Sequence, residues 1–271
     1  MNIPRTISPV LALLFAALLA AGCESTSSKQ AQPAPPQVIP KPPPLQEAPP
    51  PYRAQLHAEI AAGFYERGQM QVALQELDEA IKLDPKNAKI YNVYGLVYAV
   101  LGEDANAERN FQQALALAPS DSEIRQNWGW YLCTHGKPRE SIPEFEAAIR
   151  NPLYKSPDIA LTNAGKCSIE IGDKRAGEEY LRRAMTINPN NVSASYNLAL
   201  LLYRENRIEE ARTLMRRVMA TPNPAPDALY LGMCIERKAQ DRITEASYVQ
   251  QLKTRYPESV EAKAIPPGTC Q

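Results

Sequence analysis

Residues 91–119 read YNVYGLVYAVLGEDANAERNFQQALALAP. The marks in this stretch are Tyr91, Tyr94-Gly95, Tyr98, Gly102, Ala107, Phe111, Ala114 and Pro119. With Ala88 at position 1 of a 34-residue window, they fall at positions 4, 7, 8, 11, 15, 20, 24, 27 and 32. Two antiparallel helices cross closely only where small residues sit, here Gly95 in the first helix and Ala107 in the second. Tyr91, Tyr94, Tyr98 and Phe111 fill the space around that crossing. Pro119 lacks an amide proton and stops the second helix. One such hairpin cannot bury its apolar face alone, so it needs neighbours.

The spacing resembles the tetratricopeptide (TPR) pattern, position for position. Working outward, residues 54–87 repeat it through Ala61, Phe64, Gly68, Ala73, Leu77, Ala80 and Pro85. Residues 122–155 carry Trp128-Gly129, Leu132, Gly136, Phe145 and Ala148, with Ser141 at the close crossing. That unit ends irregularly in Asn151-Pro152-Leu153-Tyr154, and two extra residues, Ser156 and Pro157, follow. Residues 158–191, 192–225 and 226–257 complete the series, the last with slipped spacing in its second helix, as suits a terminal cap. The expected fold is all-α, a right-handed superhelical solenoid of about six TPR units over residues 54–257. The tail 258–271 contains Pro266-Pro267-Gly268, which ends any helix, and partial disorder is expected there.

The start of the chain has a different character. Pro9 to Ala21 is an apolar run of 13 residues, too short to span a bilayer and right for a signal-peptide core. Leu19-Ala20-Ala21-Gly22-Cys23 then resembles a bacterial lipoprotein signal. The resemblance implies cleavage after residue 22, lipidation of Cys23, and outer-membrane delivery because Glu24 rather than Asp follows. Residues 23–53 are rich in proline and read as a tether in polyproline II. At about 3.1 Å per residue, such a stretch holds a domain up to roughly 90 Å from the membrane.

Composition narrows the function. Thirty basic and thirty acidic side chains give no electrostatic reason to expect nucleic acid. His57 and His135 have no partners at metal-ligand spacing. There is no Gly-rich phosphate loop and no GxSxG elbow. The reading is therefore no enzyme, catalytic residue, cofactor, metal or small-molecule substrate. Of the five cysteines, Cys133, Cys167, Cys234 and Cys270 lie beyond the signal, and four cysteines allow three connectivities. Cys133 and Cys167 occupy positions 12 and 10 of adjacent first helices. Two residues on a helix subtend about 200°, so the two sulfurs face each other across stacked helices with an axial offset of about 3 Å. A disulfide is expected between them.

In a TPR stack the first helices line a groove, mainly through positions 2, 5, 9, 12 and 13. Those positions give Lys89, Asn92, Leu96, Gln126, Trp130, Thr162, Lys166, Tyr196, Leu200, Tyr203, Leu229 and Met233 as candidate groove residues. The mixture suits an extended segment or a helix laid in the groove.

The most specific stretches are Asn127-Trp128-Gly129-Trp130-Tyr131-Leu132-Cys133, Asn151-Pro152-Leu153-Tyr154 and Leu161-Thr162-Asn163-Ala164-Gly165-Lys166-Cys167. With the lipoprotein signal and six units, they resemble the PilF/PilW family of type IV pilus biogenesis lipoproteins, the pilotins of the pilus secretin. The long proline-rich linker and Cys270 depart from that pattern. The resemblance implies an adaptor anchored at the periplasmic face of the outer membrane, binding the secretin subunit and promoting its localisation, assembly or stability. A TPR lipoprotein that scaffolds peptidoglycan enzymes or envelope proteases is the alternative.

Overall fold

The computed structural model describes residues 48–265 and Cys270. The expected signal segment, Cys23 and nearly all of the proline-rich stretch lie outside the described residues. Among those described, thirteen helices account for the regular structure. Six are first helices: α1 (Pro50–Glu66), α3 (Ala88–Leu101), α5 (Ser122–Thr134), α7 (Pro157–Glu170), α9 (Val192–Arg204) and α11 (Pro226–Lys238). Each packs on its own second helix: α2 (Met70–Leu83), α4 (Asp104–Leu117), α6 (Pro138–Ile149), α8 (Lys174–Ile187), α10 (Ile208–Met219) and α12 (Arg242–Arg255). A short α13 (Val260–Lys263) packs on α11 and α12. The chain folds as a TPR solenoid.

One boundary differs from the sequence reading. Helix α1 begins at Pro50, before Ala54. Proline is welcome in a first turn, where the amide it lacks would have no partner, so Pro50 and Pro51 belong to the helix and not to the tether. Of the tail, residues 258–265 and Cys270 are described, and the expected break at Pro266-Pro267-Gly268 lies outside the described residues. Ser259 caps α13 by accepting from the Ala262 amide, and Ile265 and Cys270 pack against the core.

The repeat register is written in the backbone. Gly68, Gly102, Gly136, Gly172, Asn206 and Gln240 all adopt left-handed conformations, with φ between 61° and 87°. They recur every 34 residues, except for a step of 36 across the junction that holds Ser156 and Pro157. Each ends a first helix and turns the chain into its second. A side chain at such φ costs about 1–2 kcal/mol, which Gln240 bears. Gln240→Gly should therefore raise stability by about 0.5–1 kcal/mol once glycine's larger unfolded-state entropy is subtracted. For an array of this size a melting temperature raised by about 1–4 °C is the expected readout.

The close crossings are equally specific. A Cβ built on Gly95 would stand 2.8 Å from the Phe111 ring. In the fourth unit both helices use glycine: a Cβ on Gly165 meets the Gly177 carbonyl at 3.0 Å, and one on Gly177 meets the Gly165 carbonyl at 2.9 Å. Backbone meets backbone there, so neither helix can yield by a rotamer change. Ala107 and Ser141 fill the matching positions of other units, fully buried.

Polar residues at the unit junctions hold the stack in register. Asn87, Asp121 and Asn191 cap the first helices that follow them by accepting from N-terminal amides. In the last unit Glu245 is buried and pairs with Arg237 at 2.7 Å and Arg242 at 2.8 Å. Burial pushes its carboxyl up, but the hydrogen bonds from the two arginines outweigh that and hold it below the usual value. A depressed carboxylate contributes stability above its unfolded pKa, about 4.3, and loses it as pH falls through the lower folded value. Urea midpoints should accordingly decline below about pH 4.3. Arg242→Gln should flatten part of that decline while leaving the fold intact, since Arg242 is largely exposed.

Candidate functional site: the inner face of the first helices

Successive first helices touch one another along the whole array, whereas successive second helices make no comparable contacts. The stack therefore curves with α1, α3, α5, α7, α9 and α11 on the inner face. Two hollows open there. One, of about 510 Å³, lies between the start of α5 and the irregular 151–157 junction. Gln126, Asn127, Glu123, Leu153, Tyr154 and Ile159 are among its lining residues. Leu153 is 85% exposed, an apolar side chain held in solvent at the rim. Burial, then the carboxylates of Glu123, Asp158 and Asp121, push the Tyr154 phenol up to about 12. The second hollow, of about 380 Å³, lies between α7 and α9. Lys166, Ile169, Glu170, Asn197, Leu200 and Arg204 line it.

The structure sorts the candidate residues into three groups and leaves Lys89 apart from them, exposed in the first turn of α3. Gln126, Lys166 and Leu200 line the hollows. Leu96 and Trp130 are half-buried; Leu96 packs on the Phe111–Trp128–Tyr131 cluster, and Trp130 bridges it to the cluster around Cys133 and Phe145. Tyr196 is half-buried too; burial and then Asp227, which also hydrogen-bonds it, push its phenol up to about 12, with Glu261 of α13 adding to the effect. Asn92, Thr162 and Tyr203 are corrected: all three are buried, at 3–5% exposure. Asn92 accepts from Asn127 Nδ2 at 3.2 Å and so ties α3 to α5. The Thr162 hydroxyl accepts from Asn191 Nδ2 at 3.1 Å, tying α7 to the cap of α9. Tyr203 lies beneath the C-terminal residues. Leu229 and Met233 are likewise fully buried, in the core of the last unit; counted from Gln240 at position 15 they stand at positions 4 and 8, one residue short of the groove positions.

Several lining residues were missed. Ile169, Glu170 and Arg204 stand at positions 12 and 13, which the groove rule covers, so the repeat register alone could have found them. Leu153 and Tyr154 come from the junction that breaks the pattern, and no periodic rule reaches them.

Cys133 and Cys167 are bonded, with Cα atoms 6.0 Å apart. The bond joins α5 to α7 across the one junction where the repeat step lengthens, and both residues are buried. Closing a loop of 34 residues contributes roughly 3–4 kcal/mol in the chain-entropy model. A second bond joins Cys234 to Cys270. Among the described residues, no three His, Cys, Asp or Glu side chains gather as a metal site would need. What this face offers is shape, amide groups and mixed charge, the means of binding another chain.

Known proteins agree with that architecture. Residues 63–102 match the family described as TPR repeat, and residues 88–121 and 168–231 match families described as tetratricopeptide repeat. The type IV pilus assembly protein PilF of Pseudomonas aeruginosa is 26% identical over 205 residues, 76% of this chain and 81% of that protein. The crystal structure of PilW, a widely conserved type IV pilus biogenesis factor, superimposes with a TM-score of 0.70 at 28% identity, covering 78% of this chain and 96% of PilW. The structure of Pseudomonas aeruginosa PilF gives a TM-score of 0.70 at 25% identity, covering 78% of this chain and 95% of PilF. With the register, the crossings and the paired cysteines in hand, the chain is a PilF/PilW-like tetratricopeptide-repeat protein.

Proposed function

We propose that this protein is a type IV pilus biogenesis adaptor, anchored to the outer membrane by lipid on Cys23, whose inner face binds a segment of the pilus secretin. The observation that carries the reading is likeness across the whole array: nearly all of PilW and of PilF superimposes on this chain. The inner face supports it by leaving two hollows open between first helices. A segment crossing them would meet carboxylates and exposed leucine first, then mixed charge and aliphatic surface. The anchor follows from the lipoprotein-type signal, and the secretin from the role of the family resembled.

Anchoring and partner are tested separately. Cys23→Ser should abolish incorporation of labelled palmitate. Each acyl methylene contributes about 0.8 kcal/mol to membrane binding, so several chains hold the protein firmly. The variant should leave the outer-membrane fraction and lower secretin multimers there. Membrane retention without label would reject lipid as the anchor. Pull-down of the full chain from detergent-solubilised envelopes should bring down the secretin; its absence there would reject the partner.

A further inference from the structure

The far end of the inner face is already covered. Cys234 stands at position 9 of the last first helix, a groove position, and is bonded to Cys270 with Cα atoms 5.5 Å apart. The Tyr203 hydroxyl on α9 donates to the Cys270 carbonyl at 3.2 Å. Ile265 and Cys270 both pack against the cluster that holds Tyr203, Cys234 and Met233. Upstream, Glu261 of α13 stands close enough to Tyr196 to act on its phenol. Tyr196 and Tyr203 are seven residues apart on α9, so they share one side of it about 10 Å apart. The described end of the chain thus meets α9 at Tyr203, and α13 lies against α11 and α12.

We propose that the α9–α11 part of the inner face is a docking surface for an extended protein segment, that this chain's own C-terminal segment occupies it, and that the Cys234–Cys270 bond latches that occupant in place. The occupant shows what fits: a branched aliphatic side chain, as at Ile265, and a backbone carbonyl for Tyr203. A protein segment as competing ligand rests on the adaptor reading; the latch does not.

The two disulfides differ in access. Cys133 and Cys167 are 3% and 2% exposed, so neither sulfur of that bond meets solvent readily. Cys234 is 2% exposed, but Cys270 is only partly buried. A dithiol reductant therefore reaches the Cys270 sulfur first. Its thiolate attacks that sulfur and Cys234 leaves as a thiolate, which takes a proton. The donor's second thiol, deprotonated, then displaces Cys270, leaving two thiols on this chain and one disulfide on the donor. Arg237 Nη1, 3.5 Å from the Cys270 sulfur, places a cation beside the pair and eases thiolate formation.

Three measurements on the full chain test this. Graded dithiothreitol with iodoacetamide trapping should label Cys234 and Cys270 while Cys133 and Cys167 stay bonded; simultaneous or reversed labelling overturns the latch. In Cys270→Ser, nitration of Tyr203 by tetranitromethane should rise about fivefold or more, as local opening exposes it. Amide exchange in α11 and α12 should stay slow. Continued protection of Tyr203, or fast exchange in both helices, overturns the proposal, the second by showing a melted unit and not a freed surface. Finally, a synthetic peptide of residues 258–271 with serine at 270 should bind Cys270→Ser/Ile265→Asp saturably and oxidised wild type not at all. No binding to the variant removes the docking surface. A working latch beside failed secretin pull-down would reject only the pilus partner.

Discussion

Phe111→Ala should cost about 3–5 kcal/mol, among the largest single losses this array can show. The ring is fully buried where α3 and α4 cross, and Gly95 is a glycine because of it. It also lies 5.7 Å from the Trp128 ring and 5.4 Å from Tyr131, both on α5 of the next unit. One side chain therefore serves an internal crossing and an interface between units. In a stack held by nearest-neighbour contacts, weakening one interface divides the array. Urea unfolding followed by circular dichroism should lower the first midpoint and broaden or split the transition. Adding Gly95→Ala to Phe111→Ala should recover part of the loss, because a methyl that collides with phenylalanine now enters a cavity. That sign reversal in the double-mutant cycle checks the crossing itself. A loss below about 1 kcal/mol would mean the site collapses around the missing ring, and the crossing is not as tight as the distances say.

Legibility followed periodicity. Position 15 is left-handed in all six units. The four glycines announce this, and Asn206 and Gln240 do so only through the repeat spacing. Small residues at the crossings were readable for the same reason, since each answers to a partner at fixed separation within its own unit. The inner face was less legible because exposure there depends on the next unit. Asn92 stands at a groove position, yet Asn127 lies against it and turns it into a stacking contact. Thr162 is drawn in the same way toward Asn191. Tyr203 was misjudged for another reason: residues 67 positions away in sequence cover it. The Cys133–Cys167 pair could be derived because both residues sit on stacked helices of known register. The Cys234–Cys270 bond could not, since Cys270 lies in a segment with no periodicity.

Leu200→Glu with Lys166→Glu should reduce secretin capture by tenfold or more while the fold survives. Leu200 and Lys166 stand on neighbouring first helices and line one hollow, so a segment crossing the groove meets both. Tenfold corresponds to about 1.4 kcal/mol, modest for a contact that loses apolar area and meets two added like charges beside Glu170. Lys166 is exposed and Leu200 half-exposed, so neither substitution opens a core cavity. That is the advantage over Trp130→Ala. Trp130 joins two core clusters, and its removal mixes a packing loss of about 3–5 kcal/mol with any loss of binding. The double variant should melt within about 2 °C of wild type, as surface changes do. Under that condition, fewer secretin multimers and weaker twitching would trace to the hollow between α7 and α9. A folded double variant that captures secretin normally would remove this hollow from the interface. Gln126 and Leu153 at the α5 hollow would then be next, where burial and then three carboxylates raise the Tyr154 phenol, and beside those carboxylates a basic segment is the better match. Arginine at Gln126 would repel such a segment by the same logic that glutamate at Leu200 excludes an apolar one. The two hollows therefore predict different preferences, a basic segment at the one beside α5 and an apolar segment at the one between α7 and α9, and one panel of charge substitutions tells them apart.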